Sequence, residues 1–154
     1  MEAIHAALAK DLGRTKAETA LGETSPVFHE AVYSYNNVDK WVKDIKPATT
    51  LSFRMMNPTI KPSPKGVVLI IGAFNYPINL IFTPLVSALA AGCVAVIKLP
   101  ESLPTVTPLL ASLVAEYLDP GVVRIVQGSV AEMTAVSTTP SLFKFVLTFN
   151  DIAA

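Results

Sequence analysis

Residues 65–98 read KGVVLIIGAFNYPINLIFTPLVSALAAGCVAVIK, with no charged side chain between the two terminal lysines. A β-branched apolar run, Val67–Ile71, breaks at Gly72 and gives way to a loop with two amides and a proline, residues 73–79. A small-residue stretch follows, and a second apolar run, Val94–Ile97, ends on Lys98. Runs of this length bounded by breakers predict buried strands, and the material between them predicts a crossover helix. Two parallel strands joined by a helix form a βαβ unit, and such sheets bind ligands in the crevice beyond the strands' carboxyl ends. Asn75 follows the first strand and Lys98 closes the second, so both are expected at that edge.

The uncharged stretch Ile78–Ile97 is also about as long as a membrane span. Asn79, Thr83, Pro84 and Ser87 inside it, and its β-branched end, argue for a buried α/β core instead, because backbone breaks are costly in lipid. The length of 154 residues suits one domain with a real core. Half of the chain is apolar and 16% is charged, a fatty composition for a lone soluble domain. A net charge of zero leaves no electrostatic footprint for nucleic acid or an acidic membrane surface. The single cysteine excludes an internal disulfide framework and fits a reducing compartment. The start, MEAIHAALAKDLGR, lacks the basic segment and long apolar stretch of a secretory signal, so a cytoplasmic location is expected.

Taken in order, Ile4, Leu8 and Leu12 predict a short amphipathic helix over residues 2–12 that stops at Gly13. Thr15-Lys16-Ala17-Glu18 has the form of a capping box and predicts a second short helix ending near Gly22. Ser25-Pro26 starts a third, with Phe28, Val32, Tyr35, Val38, Val42 and Ile45 on one side, Trp41 beside them, and Pro47 as its end. Leu51–Met56 reads as a strand before the Asn57-Pro58 turn, and a second extended piece follows, broken by Pro62 and Pro64. Prolines confine such strands to a sheet edge. After the central unit come a helix near Thr105–Leu118, a third strand at Val122–Val126, a short helix around Ala131–Val136 and a fourth strand at Leu142–Leu147. Alternating strands and helices predict a parallel sheet covered on both faces. No helix follows the fourth strand, so the sheet reads as unfinished. Three parts result: a helical segment 1–47, edge strands 48–65 and a ligand-binding α/β part 66–154.

The chemistry open to these residues is limited. An amide such as Asn75 can stabilise a developing oxyanion, but asparagine also serves turns for local reasons. Lys98 can reach a ribose or phosphate, or can simply snorkel to solvent. Glu101 can accept from sugar hydroxyls, or be a solvated loop carboxylate. Cys93 has apolar neighbours and no adjacent base, so it reads as core rather than nucleophile. His5 and His29 have no partner at metal spacing and read as edge residues of helices. GxGxxG and Walker patterns are absent.

The segment PKGVVLIIGAFNYPINLIFTPLVSALAAGCVAVIKLPES resembles the aldehyde dehydrogenase superfamily, especially its class 3 (fatty aldehyde) branch. That family shows P-x-G-V-V-x-x-I-G-x-W-N-Y-P, A-A-G-N and K-P-S-E in this order, and the similarity runs through YLDPGVVRIVQGSVAEMT. The resemblance implies an incomplete Rossmann-like parallel sheet behind N-terminal helices. It implies that Asn75 stabilises the oxyanion of the thiohemiacetal, and that Lys98 and Glu101 contact the adenosine ribose of NAD or NADP. The backbone at Gly72, Ala73 and Phe74 then matches the strand end against which the cofactor lies. The pieces around Leu51–Ile60 resemble subunit-bridging strands, which implies a homo-oligomer or pairing with a full-length relative.

The sequence departs from the family pattern in several places. Phe74 replaces the tryptophan, Cys93 replaces the asparagine of A-A-G-N, and Lys98-Leu99-Pro100-Glu101 shifts the proline. Thr148-Phe149-Asn150 stands at the T-G-S turn. The family's general-base glutamate and nucleophilic cysteine fall beyond these residues. The chain therefore reads as the N-terminal part of an NAD(P)-dependent enzyme oxidising aldehydes to acids, expected to be inactive alone. The alternative is a non-catalytic module that pairs with an intact relative.

Overall fold

The computed structural model describes residues 1–128 and the strand Phe145–Thr148. Helix α1 (Glu2–Leu12) ends at Gly13, whose φ of 67° takes the left-handed turn and whose amide returns to the Ala9 carbonyl. Ala7 and Leu8 are buried in the same core as Val68, Ile70 and Ile97 of the sheet, so the first helix is an integral part of the α/β unit. Helix α2 (Lys16–Thr19) opens with the expected capping box: Thr15 Oγ1 accepts from the Glu18 amide at 3.3 Å, and Glu18 Oε2 accepts from the Thr15 amide at 2.8 Å.

The helix expected to end near Gly22 does not end there. It widens into a π-helical turn, Ala20–Thr24, and runs on into α3 (Ser25–Trp41). Pro26 has no N–H to offer the carbonyl of Gly22 one turn back, and its ring would crowd that carbonyl in a regular helix. The wider turn relieves the clash, and Gly22 O instead accepts from Asn79 Nδ2 at 3.0 Å. Helix α3 stops at Trp41 rather than near Pro47. Of the face expected to be packed, Phe28, Val32, Tyr35, Val42 and Ile45 are exposed, as is Trp41 beside them, and Val38 is half-buried. The buried position is Ser34, and Glu30 Oε1 ties α3 to the next long helix by accepting from Ser34 Oγ at 3.2 Å and Ser87 Oγ at 3.1 Å.

The strand expected over Leu51–Met56 is also corrected. Leu51–Arg54 forms a single helical turn, α4, with the amides of Phe53 and Arg54 returning to Thr50 O at 3.1 Å. Among the described residues no strand lies alongside it, so its backbone groups are satisfied locally. The extended pairing in this region is a single antiparallel bridge between Ile45 and Ile60, with both N–H···O distances 2.9 Å.

From Val67 onward the expected alternation appears. Strands β1 (Val67–Ile71), β2 (Val94–Lys98), β3 (Val123–Val126) and β4 (Phe145–Thr148) form one parallel sheet in the order β3-β2-β1-β4. Helices α5 (Asn79–Ala90) and α6 (Val106–Tyr117) make the crossovers. Leu69, Ile70, Ile81 and Ile97 are fully buried. The chain leaves β1 for β2 on one side while β4 adds on the other, so the strand order reverses at the β1/β4 boundary, where open α/β sheets place their crevice. The uncharged stretch is thus a 12-residue helix, a turn and a strand, and no described helix is long and apolar enough to cross a membrane. The expected helix at Ala131–Val136, the first residues of the fourth strand and the tail after Thr148 lie outside the described residues.

Candidate functional site

The carboxyl edge of the sheet begins where β1 ends. Ile71 stands in register with Lys98, and the ladder continues one step further: the Gly72 amide donates to Lys98 O at 2.9 Å. Gly72 is buried, and a Cβ there would lie 2.5 Å from the side chain of Ile81. Glycine is therefore required for β1 to run up against α5 before the chain turns. Ala73 is buried, Phe74 is exposed, and Asn75 is half-buried in the loop that follows.

Lys98 does not snorkel freely. Its side chain is 12% exposed, and Nζ lies 2.8 Å from Glu101 Oε1. Leu99 and Leu103 are buried and anchor the loop that carries Glu101. An ammonium and a half-exposed carboxylate thus stand together at the lip of β2, one strand away from the Asn75 loop. Such a donor–acceptor pair suits a vicinal diol.

The Asn75 loop is held by residues that sequence reading passed over. The Arg14 guanidinium lies 3.9 Å above the Tyr76 ring, places Nη1 3.2 Å from Glu23 Oε1, and donates from Nη2 to the backbone oxygen of Asn75. Glu23 is fully buried, and its Oε2 accepts from the amides of Ile78 and Asn79 at 3.0 Å each. Helix α5 has no side-chain cap of its own, so Glu23 caps it from a distant segment. Burial pushes the Glu23 carboxyl above its ordinary range, against the opposing pull of the Asn79 amide, the Arg14 charge and the Ile78 amide. The Tyr76 ring lies against Gly22, where a Cβ would sit 2.8 Å from Cε1. One signal for this arrangement was present in the sequence: proline four residues after Gly22 leaves that carbonyl to be satisfied elsewhere.

Cys93 is buried and immediately precedes β2, with its amide bonded to Ala88 O at 3.0 Å. Strand rise puts it about 16 Å from the Lys98 end, at the opposite edge of the sheet. Among the described residues no three His, Cys, Asp or Glu side chains gather at metal-binding range.

Residues 1–148 match the Aldehyde dehydrogenase family. The chain is 36% identical over 133 residues to aldehyde dehydrogenase family 3 member H1 of Arabidopsis thaliana, covering 86% of this chain and 28% of that protein. It is 35% identical over 134 residues to the aldehyde dehydrogenase, dimeric NADP-preferring, of Rattus norvegicus, covering 87% and 30%. The substrate-bound structure of Staphylococcus aureus AldH superposes with a TM-score of 0.86 at 32% identity, covering 94% of this chain and 31% of that one. The chain thus spans under a third of the length of these relatives. Parallel sheet, loop sequence and chain-wide similarity agree: this chain belongs to the aldehyde dehydrogenase family.

Proposed function

We propose that this chain forms the N-terminal region of an NAD(P)-dependent aldehyde dehydrogenase that converts an aldehyde to a carboxylic acid. Its Asn75 amide is the oxyanion donor. The edge formed by Gly72, Ala73, Phe74, Lys98 and Glu101 is the part of the nucleotide crevice that it contributes. The observation that carries this reading is the Gly72–Lys98 hydrogen bond of 2.9 Å, which joins the ends of the two strands that bear these residues.

NAD or NADP, when bound, accepts the hydride. The chain's own residues bind and orient. Lys98 donates to ribose oxygens and Glu101 accepts from ribose hydroxyls, while Gly72, packed against Ile81, sets where the Asn75 loop leaves the sheet. An amide aimed at the position where carbonyl charge develops strengthens its hydrogen bond in the transition state. Cys93 lies buried at the far edge of the sheet, so the thiolate attacking the aldehyde is not Cys93. The 154 residues alone are accordingly expected to form no NADH from aldehydes.

The test is a titration of the isotope-labelled chain with NAD+ and with NADP+, following backbone amides by NMR. Shifts confined to residues 72–75 and 98–101, lost in Lys98→Met, support the reading; shifts elsewhere or none overturn it.

The second reading, a homo-oligomer or a module pairing with an intact relative, is supported by exposed Leu51, Phe53, Met55, Met56 and Ile60 around the lone Ile45–Ile60 bridge. The dimeric rat relative points the same way. Light scattering on the chain alone, and co-purification with an intact aldehyde dehydrogenase, test it. A monodisperse monomer that co-purifies with nothing overturns it.

A further inference from the structure

We propose that Arg14 and Glu23 are positioning residues which, acting across more than fifty residues of chain, hold the Asn75 loop and thereby set where the Asn75 amide stands. The catalytic meaning of this inference rests on the reading of Asn75 just given; the clamp itself does not.

The loop between Gly72 and α5 is gripped at both ends. At its start, the sheet holds it through Gly72 N–H to Lys98 O. At its end, Glu23 takes the amides of Ile78 and Asn79, and Gly22 O takes the Asn79 side chain. Between these points, Arg14 bonds the Asn75 carbonyl and covers the Tyr76 ring, whose edge lies against Gly22. Arg14 is the shared member: one planar guanidinium meets the buried carboxylate that caps α5 and the backbone oxygen of the residue that carries the amide. Its own placement follows from Gly13, whose left-handed turn ends α1 and brings the Arg14 amide back toward Leu8 O. A lysine has one compact ammonium on a flexible stem and cannot reproduce a forked, stacked contact.

The clamp also follows from the π-helical turn. Within the turn at Ala20–Thr24, Pro26 offers Gly22 O no N–H, and that carbonyl accepts from Asn79 instead. The N-terminal helices are thus a template against which the loop is pressed.

The test uses the labelled 154-residue chain. Hydrogen exchange at Ile78 and Asn79 and the side-chain NH2 resonances of Asn75 are compared in the wild type, Arg14→Met, Arg14→Lys, Glu23→Gln and the control Asp11→Asn. The control loosens a carboxylate cap of the same kind at α6, away from the loop. The expected result is exchange at Ile78 and Asn79 faster by about tenfold in the Arg14 and Glu23 variants, with exchange in β1 unchanged. Displaced or broadened Asn75 resonances are expected in the same variants, no rescue by lysine, and Asn75 signals unmoved in Asp11→Asn. Unmoved Asn75 signals in Arg14→Lys and Glu23→Gln, or equal disturbance in the control, overturn the proposal. Should Arg14→Met fail to fold, the lysine and glutamine variants decide by the same readouts. The nucleotide titration above is independent of this result, so the two readings fail separately.

Discussion

Asp11 caps a helix that begins 95 residues further along the chain: its Oδ2 accepts from the amide of Val106 at 2.8 Å, and from that of Thr105 at the same distance. Glu23 does the same for α5 across 55 and 56 residues. Neither α5 nor α6 carries a side-chain cap of its own. Two crossover helices of the sheet are therefore finished by carboxylates from the N-terminal helices, which explains why those helices share one core with the strands.

Replacing Asp11 by alanine is expected to cost about 1 kcal/mol, the usual worth of an N-cap. Desolvation pushes this carboxyl up, but the hydrogen bonds from Val106 and Thr105 outweigh it and leave it below its ordinary 3.8. A carboxyl depressed on folding contributes stability above its unfolded value and loses it as pH falls through the folded value. Urea midpoints measured from pH 7 downward should fall below about pH 4 in the wild type, and less steeply in Asp11→Asn.

Glu23 has the opposite sign. Burial raises its carboxyl above 4.5 despite Arg14 and the two amides. Only between the unfolded and the folded value does the folded state hold a proton that the unfolded chain has released, so this contribution is complete below pH 4.5 and is lost as pH rises through the folded value, above which Glu23 is a carboxylate. Glu23→Gln should flatten that limb of the stability profile. Arg14→Met leaves the carboxylate buried without its counter-charge and is expected to cost about 3–5 kcal/mol, read as a lowered denaturation midpoint.

Gly72→Ala should destabilise by about 1–3 kcal/mol, because the added methyl would stand 2.5 Å from Ile81, itself fully buried with no room to retreat. Chemical denaturation of the purified variant reads this directly. An unchanged midpoint would mean that β1 and α5 approach less closely than described.

Cys93 should resist iodoacetamide in the folded chain and alkylate fully in urea, since it is 5% exposed among apolar neighbours. Mass spectrometry before and after unfolding distinguishes the two. Rapid native labelling would place the thiol at the surface and reopen the question of its role.

Local chemistry determined a good deal of this protein. The β-branched runs at Val67–Ile71 and Val94–Lys98, the capping box at Thr15 and the stop at Gly13 each stand where residue type and spacing put them. The shared strand edge of Asn75 and Lys98 was legible for the same reason: breakers after apolar runs mark strand ends, and parallel strands bring those ends together. Tertiary structure decided the rest. The apolar spacing of α3 was genuine, yet which face is covered depends on where α5 lies, and the large residues were left outside. Leu51–Arg54 has strand-like composition but, among the described residues, no strand to pair with, and it coils into a helical turn. Arg14, Glu23 and Asp11 carry no motif, because a hydrogen bond spanning dozens of residues leaves no local periodicity; only the folded chain brings each carboxylate to the open end of its helix.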